Sequence, residues 1–153
     1  MAGIICFDPD ECDGATGVLV RGKKVVLAGT EICRMPEKMR SEPLAGRLEQ
    51  HGFFFFYGNE PVDFPWYAVP RLYVFARDGQ GCFFAARRYP DMEEREPVWR
   101  VSRDGSMALA APGLSELIES VLADRSEKGA PGADARLYSS RDEAEKDFDF
   151  IRV

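Results

Sequence analysis

Histidine is nearly absent from this chain, and that scarcity removes more chemistry than any other feature of its composition. His51 is the only one, so a serine or cysteine nucleophile would have a single imidazole to draw on as its base. His51 stands just before Gly52, at the expected end of a helix, where a cationic side chain suits the helix dipole. It reads as a capping or surface residue. The four cysteines, Cys6, Cys12, Cys33 and Cys82, form no C-x-x-C pair and match no zinc ribbon or finger. G-x-S-x-G, Walker and dinucleotide fingerprints are missing too. Asp78-Gly79-Gln80-Gly81 joins two apolar runs and opens no helix, so it reads as a turn, not a phosphate cradle. No catalytic residue, metal site or cofactor is expected.

Nor is there an apolar run approaching 18 residues, so no membrane-spanning helix is expected. Gly3 to Phe7 is too short for the apolar region of a signal peptide and is followed by acids. The thiols are then expected to be free in a reducing, cytoplasmic compartment. Basic side chains are also in deficit, 20 against 26 acidic, for a net charge of −6. Nucleic-acid binders gain affinity by neutralising phosphates, so this balance argues against that class. An acidic surface favours a basic partner by long-range attraction, or it serves solubility alone.

What is present suits one globular domain. With 45% of 153 residues hydrophobic, the chain can build a core of ordinary size. The expectation is a single α+β domain: a mostly antiparallel twisted sheet made of hairpins, with a few short helices packed on it. Its core spans about 3–123, and 124–153 forms a loop and an acidic C-terminal helix or tail. Gly3 to Phe7 reads as a strand. Val18–Val20 and Lys24–Leu27 read as a hairpin turning at Arg21-Gly22-Lys23. A helical turn over Pro36–Arg40 precedes a helix with Ser41 as N-cap, Pro43 in its first turn and Gly52 beyond its end. Leu44 and Leu48, four apart, should share its buried face.

Two further hairpins are the clearest pattern. Leu72–Ala76 and Cys82–Ala86 flank Asp78-Gly79-Gln80-Gly81, and Pro97–Ser102 and Met107–Ala111 flank Arg103-Asp104-Gly105. Leu114, Leu117, Ile118, Val121 and Leu122 then repeat at helical spacing. Leu137-Tyr138 suggests a small strand. Ser140 to Glu143 has capping-box spacing for a short acidic helix anchored by Phe148 and Phe150.

Phe53-Phe54-Phe55-Phe56-Tyr57 covers both faces of a strand with rings. It reads as a central strand buried on both sides, because five exposed rings would invite aggregation. The alternative is an edge strand that docks a partner or a second copy. Phe64 to Pro70 is bracketed by prolines and reads as an extended arm.

Acidic residues cluster three times. Asp8, Asp10, Glu11 and Asp13 with Gly14 miss the EF-hand order and read as a solvated turn. Asp91, Glu93, Glu94 and Glu96 surround Arg95 in a polar loop, where they read as adjacent surface charges. The third group is the tail: Asp142, Glu143, Glu145, Asp147 and Asp149. If the chain grips a basic partner, the loop and the tail are the natural contacts, with Trp66 and Tyr67 as aromatic anchors. Arg87 and Arg88 beside Tyr89 could hold an anion, but read more simply as solubilising residues.

The order of features from about Phe53 to Leu122 resembles the SUKH superfamily. The matching residues are Trp66-Tyr67 with Pro70, Leu72-Tyr73-Val74-Phe75-Ala76, and Asp78-Gly79-Gln80-Gly81-Cys82-Phe83-Phe84. Pro97-Val98-Trp99-Arg100-Val101 follows, with Asp104-Gly105 and Leu109-Ala110 before the last periodic helix. The resemblance covers slightly under half the chain. Upstream, the Lys24 hairpin and the Ser41 helix stand where the family has a Leu-Pro pair and a glycine-rich asparagine turn. The resemblance implies a binding protein, since many bacterial members are immunity proteins that block a toxin and others regulate cell-wall synthesis.

The first reading is therefore a non-catalytic protein-binding module, in its specific form a SUKH-like immunity protein that neutralises a basic toxin domain. A small-molecule binder or enzyme with its site near Trp66, Tyr67 and Trp99 is the second. A homo-oligomer joined through Phe53–Tyr57 is the third.

Overall fold

Strand-length apolar runs punctuated by glycine turns give the chain its sheets, and the computed structural model describes residues 4–7, 24–58, 61–88, 96–123 and 135–150. They divide into two compact units, one drawn from Met1–Thr30, Pro65–Leu72 and Asp134–Val153, the other from Glu31–Phe64 and Tyr73–Ala133. The fold is α+β, with three short helices among the described residues.

The larger unit is organised around β6 (Leu72–Asp78). Its sheet runs β3 (Thr30–Ile32), β6, β7 (Phe83–Ala86), β8 (Val98–Val101), β9 (Met107–Ala111), with β4 (Phe53–Phe55) also paired to β6. The β6–β7, β7–β8 and β8–β9 pairings are antiparallel. Both predicted hairpins form, because each turn has a glycine where the backbone must go left-handed: Gly81 at φ 88 and Gly105 at φ 84.

One sheet face carries Phe53, Phe55, Ala76, Phe84, Ala86 and Val98. On it pack Ala45 and Leu48 of α1 (Pro43–Gln50) and Leu114, Leu117 and Ile118 of α2 (Leu114–Leu122). The predicted periodic helix is thus α2. Burying each large side chain there contributes roughly 1.5–3 kcal/mol, and neither helix has a side-chain hydrogen bond at its N-cap. Tertiary packing carries both.

Helix α1 differs from expectation in two ways. Its N-cap is Glu42, not Ser41, because Ser41 ends the preceding 3-10 turn (Glu37–Ser41) and donates its Oγ–H to the Lys38 carbonyl at 2.9 Å. Leu44 is 39% exposed. On so short a helix the buried stripe is narrow, and it runs through Ala45 and Leu48 at i, i+3. Pro43 opens the helix and Gly52, at φ 79, follows it as predicted.

The aromatic run also divides into a part that fits and a part that does not. Phe53, Phe55, Phe56 and Tyr57 are buried and Phe54 is half-buried. Yet β4 is not central. It lies against Ala76–Asp78 of β6, on the side of β6 whose earlier residue Val74 accepts from the Cys33 amide after β3. The sheet's edge is shared between two short strands, and α1 packs beside β4.

In the smaller unit, β1 (Ile4–Phe7) pairs in parallel with both β2 (Lys24–Leu27) and β11 (Asp149–Phe150). Lys24–Leu27 was expected to pair with Val18–Val20. Residues 18–23 lie outside the described residues, and the described partner of β2 is β1. A second pair joins β5 (Tyr67–Val69) antiparallel to β10 (Arg136–Tyr138). The proline-bracketed arm therefore contains a strand, fitted between Pro65 and Pro70. Finally, α3 (Arg141–Ala144) has the predicted cap, with Ser140 Oγ accepting from the Glu143 amide at 3.3 Å.

Candidate functional site

In the smaller unit the pairing of β5 with β10 sets Tyr67 directly opposite Tyr138, so both rings leave the same face. They pack, half-buried with Phe148, over a small core of Ala28, Val69 and Ala144. Phe148 meets Tyr138 edge-on at 6.3 Å. Trp66, also half-buried, is tied to the first residue of β3 through its carbonyl, which accepts from Thr30 Oγ1 at 3.4 Å. Helix α3 packs on both strands. Three sequence-predicted aromatic and acidic elements therefore meet in one unit: Trp66-Tyr67, Asp142 and Glu143 on α3, and Glu145 just after it.

The tail is less negative than its composition suggested. Glu143 takes Lys146 Nζ at 3.1 Å, Glu145 takes Arg141 Nε at 3.1 Å, and Asp147 faces Arg136 Nη2 at 3.5 Å. Tyr138 also donates its hydroxyl to Asp147 at 2.9 Å. Of the four tail carboxylates with described side chains, Asp142 is exposed and has no ionic partner among the described residues. The surface this builds is aromatic and amphipathic, with one uncommitted carboxylate.

The other predicted contacts fall elsewhere. Glu96 belongs to the larger unit and sits 4.0 Å from Arg88 Nε. Asp91, Glu93 and Glu94 lie outside the described residues, as do Asp8, Asp10, Glu11, Asp13 and Gly14. Trp66 and Trp99 belong to different units. His51 is the exposed C-cap of α1, as its position predicted. Cys33 is buried, and the half-buried Cys82 thiol lies 4.0 Å from the Ser102 hydroxyl. Among the described residues, no three His, Cys, Asp or Glu side chains converge as metal ligands, and no helix is long and apolar enough to cross a membrane.

Two charged features escaped the sequence reading. Arg71 is 4% exposed; its Nη1 donates to the Ala28 carbonyl at 3.2 Å, and its amide to the Leu27 carbonyl at 2.8 Å. An alternation of apolar and polar residues gives no warning that an arginine beside a strand turns inward. The second is the tip of the β6–β7 hairpin. Asp78 Oδ1 accepts from the amides of Gln80 and Cys82 at 2.8 and 2.9 Å, while its Oδ2 holds Arg100 Nη2 at 2.6 Å. Burial draws the Arg100 pKa down, but the facing Cys82 and Asp78 outweigh it and leave the pKa raised.

The neighbouring turn behaves differently. Asp104 turns its Oδ1 to the Ser106 hydroxyl and amide, at 2.7 and 2.9 Å, and these bonds hold its carboxyl below the usual aspartate range. A depressed carboxyl pKa stabilises the fold above the unfolded-state value, and the contribution is lost as pH falls through the folded value. Ser106→Ala removes the hydroxyl and keeps the amide. The Asp104 pKa should rise in a carboxyl-carbon NMR titration of the variant, and an unchanged value would contradict this assignment.

Comparison with known proteins adds no neighbour: no family model, curated protein or solved structure matches the chain.

Proposed function

We propose that the chain is a non-catalytic protein-recognition module whose contact surface is the β5–β10 face with α3. One observation carries the reading: Tyr67, next to Trp66 in sequence, stands in register with Tyr138, and α3, which packs on both strands, carries an exposed carboxylate, Asp142, with no ionic partner among the described residues. Half-buried aromatics provide contact area at small entropic cost. An uncommitted carboxylate beside them selects for a cationic side chain on the partner.

The specific form we favour is a SUKH-like immunity protein that neutralises a basic toxin domain. Its support is the order of elements over residues 72–122, strand, glycine turn, strand, strand, Asp-Gly turn, strand and helix, together with the net charge of −6. Joining two copies through Phe53–Tyr57 has less support, because four of those five rings are buried within one chain.

Affinity capture from extracts of the native cells tests the proposal. Wild-type protein should retain one protein stoichiometrically and release it as salt rises. Tyr67→Ala and Asp142→Lys should each weaken retention roughly ten-fold, the size expected for an anchor at the centre of an interface. Retention that ignores both substitutions would move the contact surface elsewhere. Failure to retain any protein would contradict the reading.

A further inference from the structure

We infer that β9 is a self-pairing edge, through which two copies of the chain join strand to strand. Among the described residues β9 is the last strand of its sheet. Its pairing with β8 shows which of its backbone groups are spare. Ser102 donates its amide to the Ser106 carbonyl at 2.9 Å. Val101 opposite Met107, Arg100 opposite Ala108 and Trp99 opposite Leu109 follow in register. Antiparallel pairs alternate between bonded and non-bonded, so Ala108 bonds Arg100, while Met107 and Leu109 turn their amides and carbonyls outward. No backbone partner meets them there among the described residues.

Edge strands are normally guarded by charge, by proline or by a covering element, because an open ladder recruits other strands. β10, paired on one side to β5, follows that rule with the exposed Arg136. β9 does not. Met107 to Ala111 holds no charge, glycine or proline, and Ala108, Leu109 and Ala110 are half-buried. In a chain of net charge −6, an uncharged edge is where two copies approach with least repulsion.

The spare groups also fix how the copies pair. Val98 faces Ala111 while Trp99 faces Leu109, so Ala110 is an extra residue and the regular edge ends there. The antiparallel match that satisfies both outward residues sets Met107 on the partner's Leu109, and Leu109 on the partner's Met107. A two-fold axis then passes between the two Ala108 residues, a non-bonded pair whose Cα atoms approach to about 4.5 Å. Alanine suits so close a pair. The same register lays the Asp104 turn beside the partner's Pro112 and Gly113, where α2 begins. Asp104 is exposed and α2 has no capping side chain, so a carboxylate meets the positive end of a helix. Arg103 is turned to the β7 side, against Gly81. These features match one another within a single sequence, which makes a second copy the occupant of the edge. The interface uses no residue of the β5–β10 surface, so it stands or falls independently of it.

Sedimentation velocity of the full chain over a wide range of concentrations tests this. Wild type should show a reversible monomer–dimer equilibrium. Leu109→Lys puts a charge on each side of the axis and should weaken the dimer roughly ten-fold. Asp104→Asn keeps an acceptor for Ser106 but loses the charge, and should weaken it roughly two- to three-fold. Ala108→Cys reads the register, because a disulfide fits the short Cα separation across the axis. Mild oxidation should link its two copies, whereas Ala110→Cys and wild type should link no more than background. If circular dichroism shows that Leu109→Lys fails to fold, the cysteine comparison decides. A wild-type chain that stays monomeric at every concentration would overturn the proposal. So would a dimer indifferent to a folded Leu109→Lys, or one that Ala108→Cys links no better than Ala110→Cys.

Discussion

Phe53→Ala is expected to lower the unfolding free energy by about 3–5 kcal/mol, the usual cost of emptying a buried phenylalanine site. The ring is 2% exposed and lies 5.0 Å from both Phe55 and Phe84. It stands where β4, β7 and α1 meet, and α1 has no capping side chain to hold it unaided. Urea unfolding followed by circular dichroism measures the change. Phe54→Ala gives the contrast, since that ring is half-buried on the opposite face under Arg77, and its loss should cost about 1 kcal/mol. Equal costs would mean that the strand is not one-sided in its packing.

The second large effect belongs to Asp78→Ala, expected at about 2–3 kcal/mol. The substitution strips acceptors from the Gln80 and Cys82 amides and leaves Arg100, whose Nε is already buried without a partner, facing no carboxylate. The ion pair itself adds little, because 40% of the Arg100 side chain is exposed and solvent screens it. Most of the loss comes from the turn. Asp78→Asn keeps an acceptor oxygen and should recover much of it. Hydrogen exchange at the Cys82 amide should accelerate strongly in the alanine variant and only slightly in the asparagine one. Similar exchange in both would show that the turn holds without its side-chain acceptor.

These two residues also mark what could be read from the sequence. Hairpin tips were legible because a chain reversal needs a residue at positive φ, and Gly81 and Gly105 stand where apolar alternation stops. Helix α2 was legible from its spacing. The start of α1 was misread because Ser41 is equally suited to close a 3-10 turn, and only the fold decides between the two uses. Parallel pairing among β1, β2 and β11 joins segments from opposite ends of the chain, and no local pattern encodes such a register.

The candidate surfaces were legible in the same uneven way. Trp66, Tyr67 and the tail were read as candidate partner contacts, and the fold puts them in one unit, but the tail is less acidic than its composition suggested. The Arg141–Glu145 and Glu143–Lys146 spacings, i, i+4 and i, i+3, already signalled self-neutralisation. The Asp78–Arg100 pair gave no signal at all. Asp78 and Arg100 lie 22 residues apart on separate strands, and only the β6–β7–β8 register brings them together.

The recognition surface is tested most directly by calorimetry with the captured partner at two salt concentrations, comparing wild type with Asp142→Lys. Binding at one partner per chain, weaker at high salt and weaker still for the lysine variant, is the predicted result. An affinity unchanged by salt and by the charge reversal would contradict it.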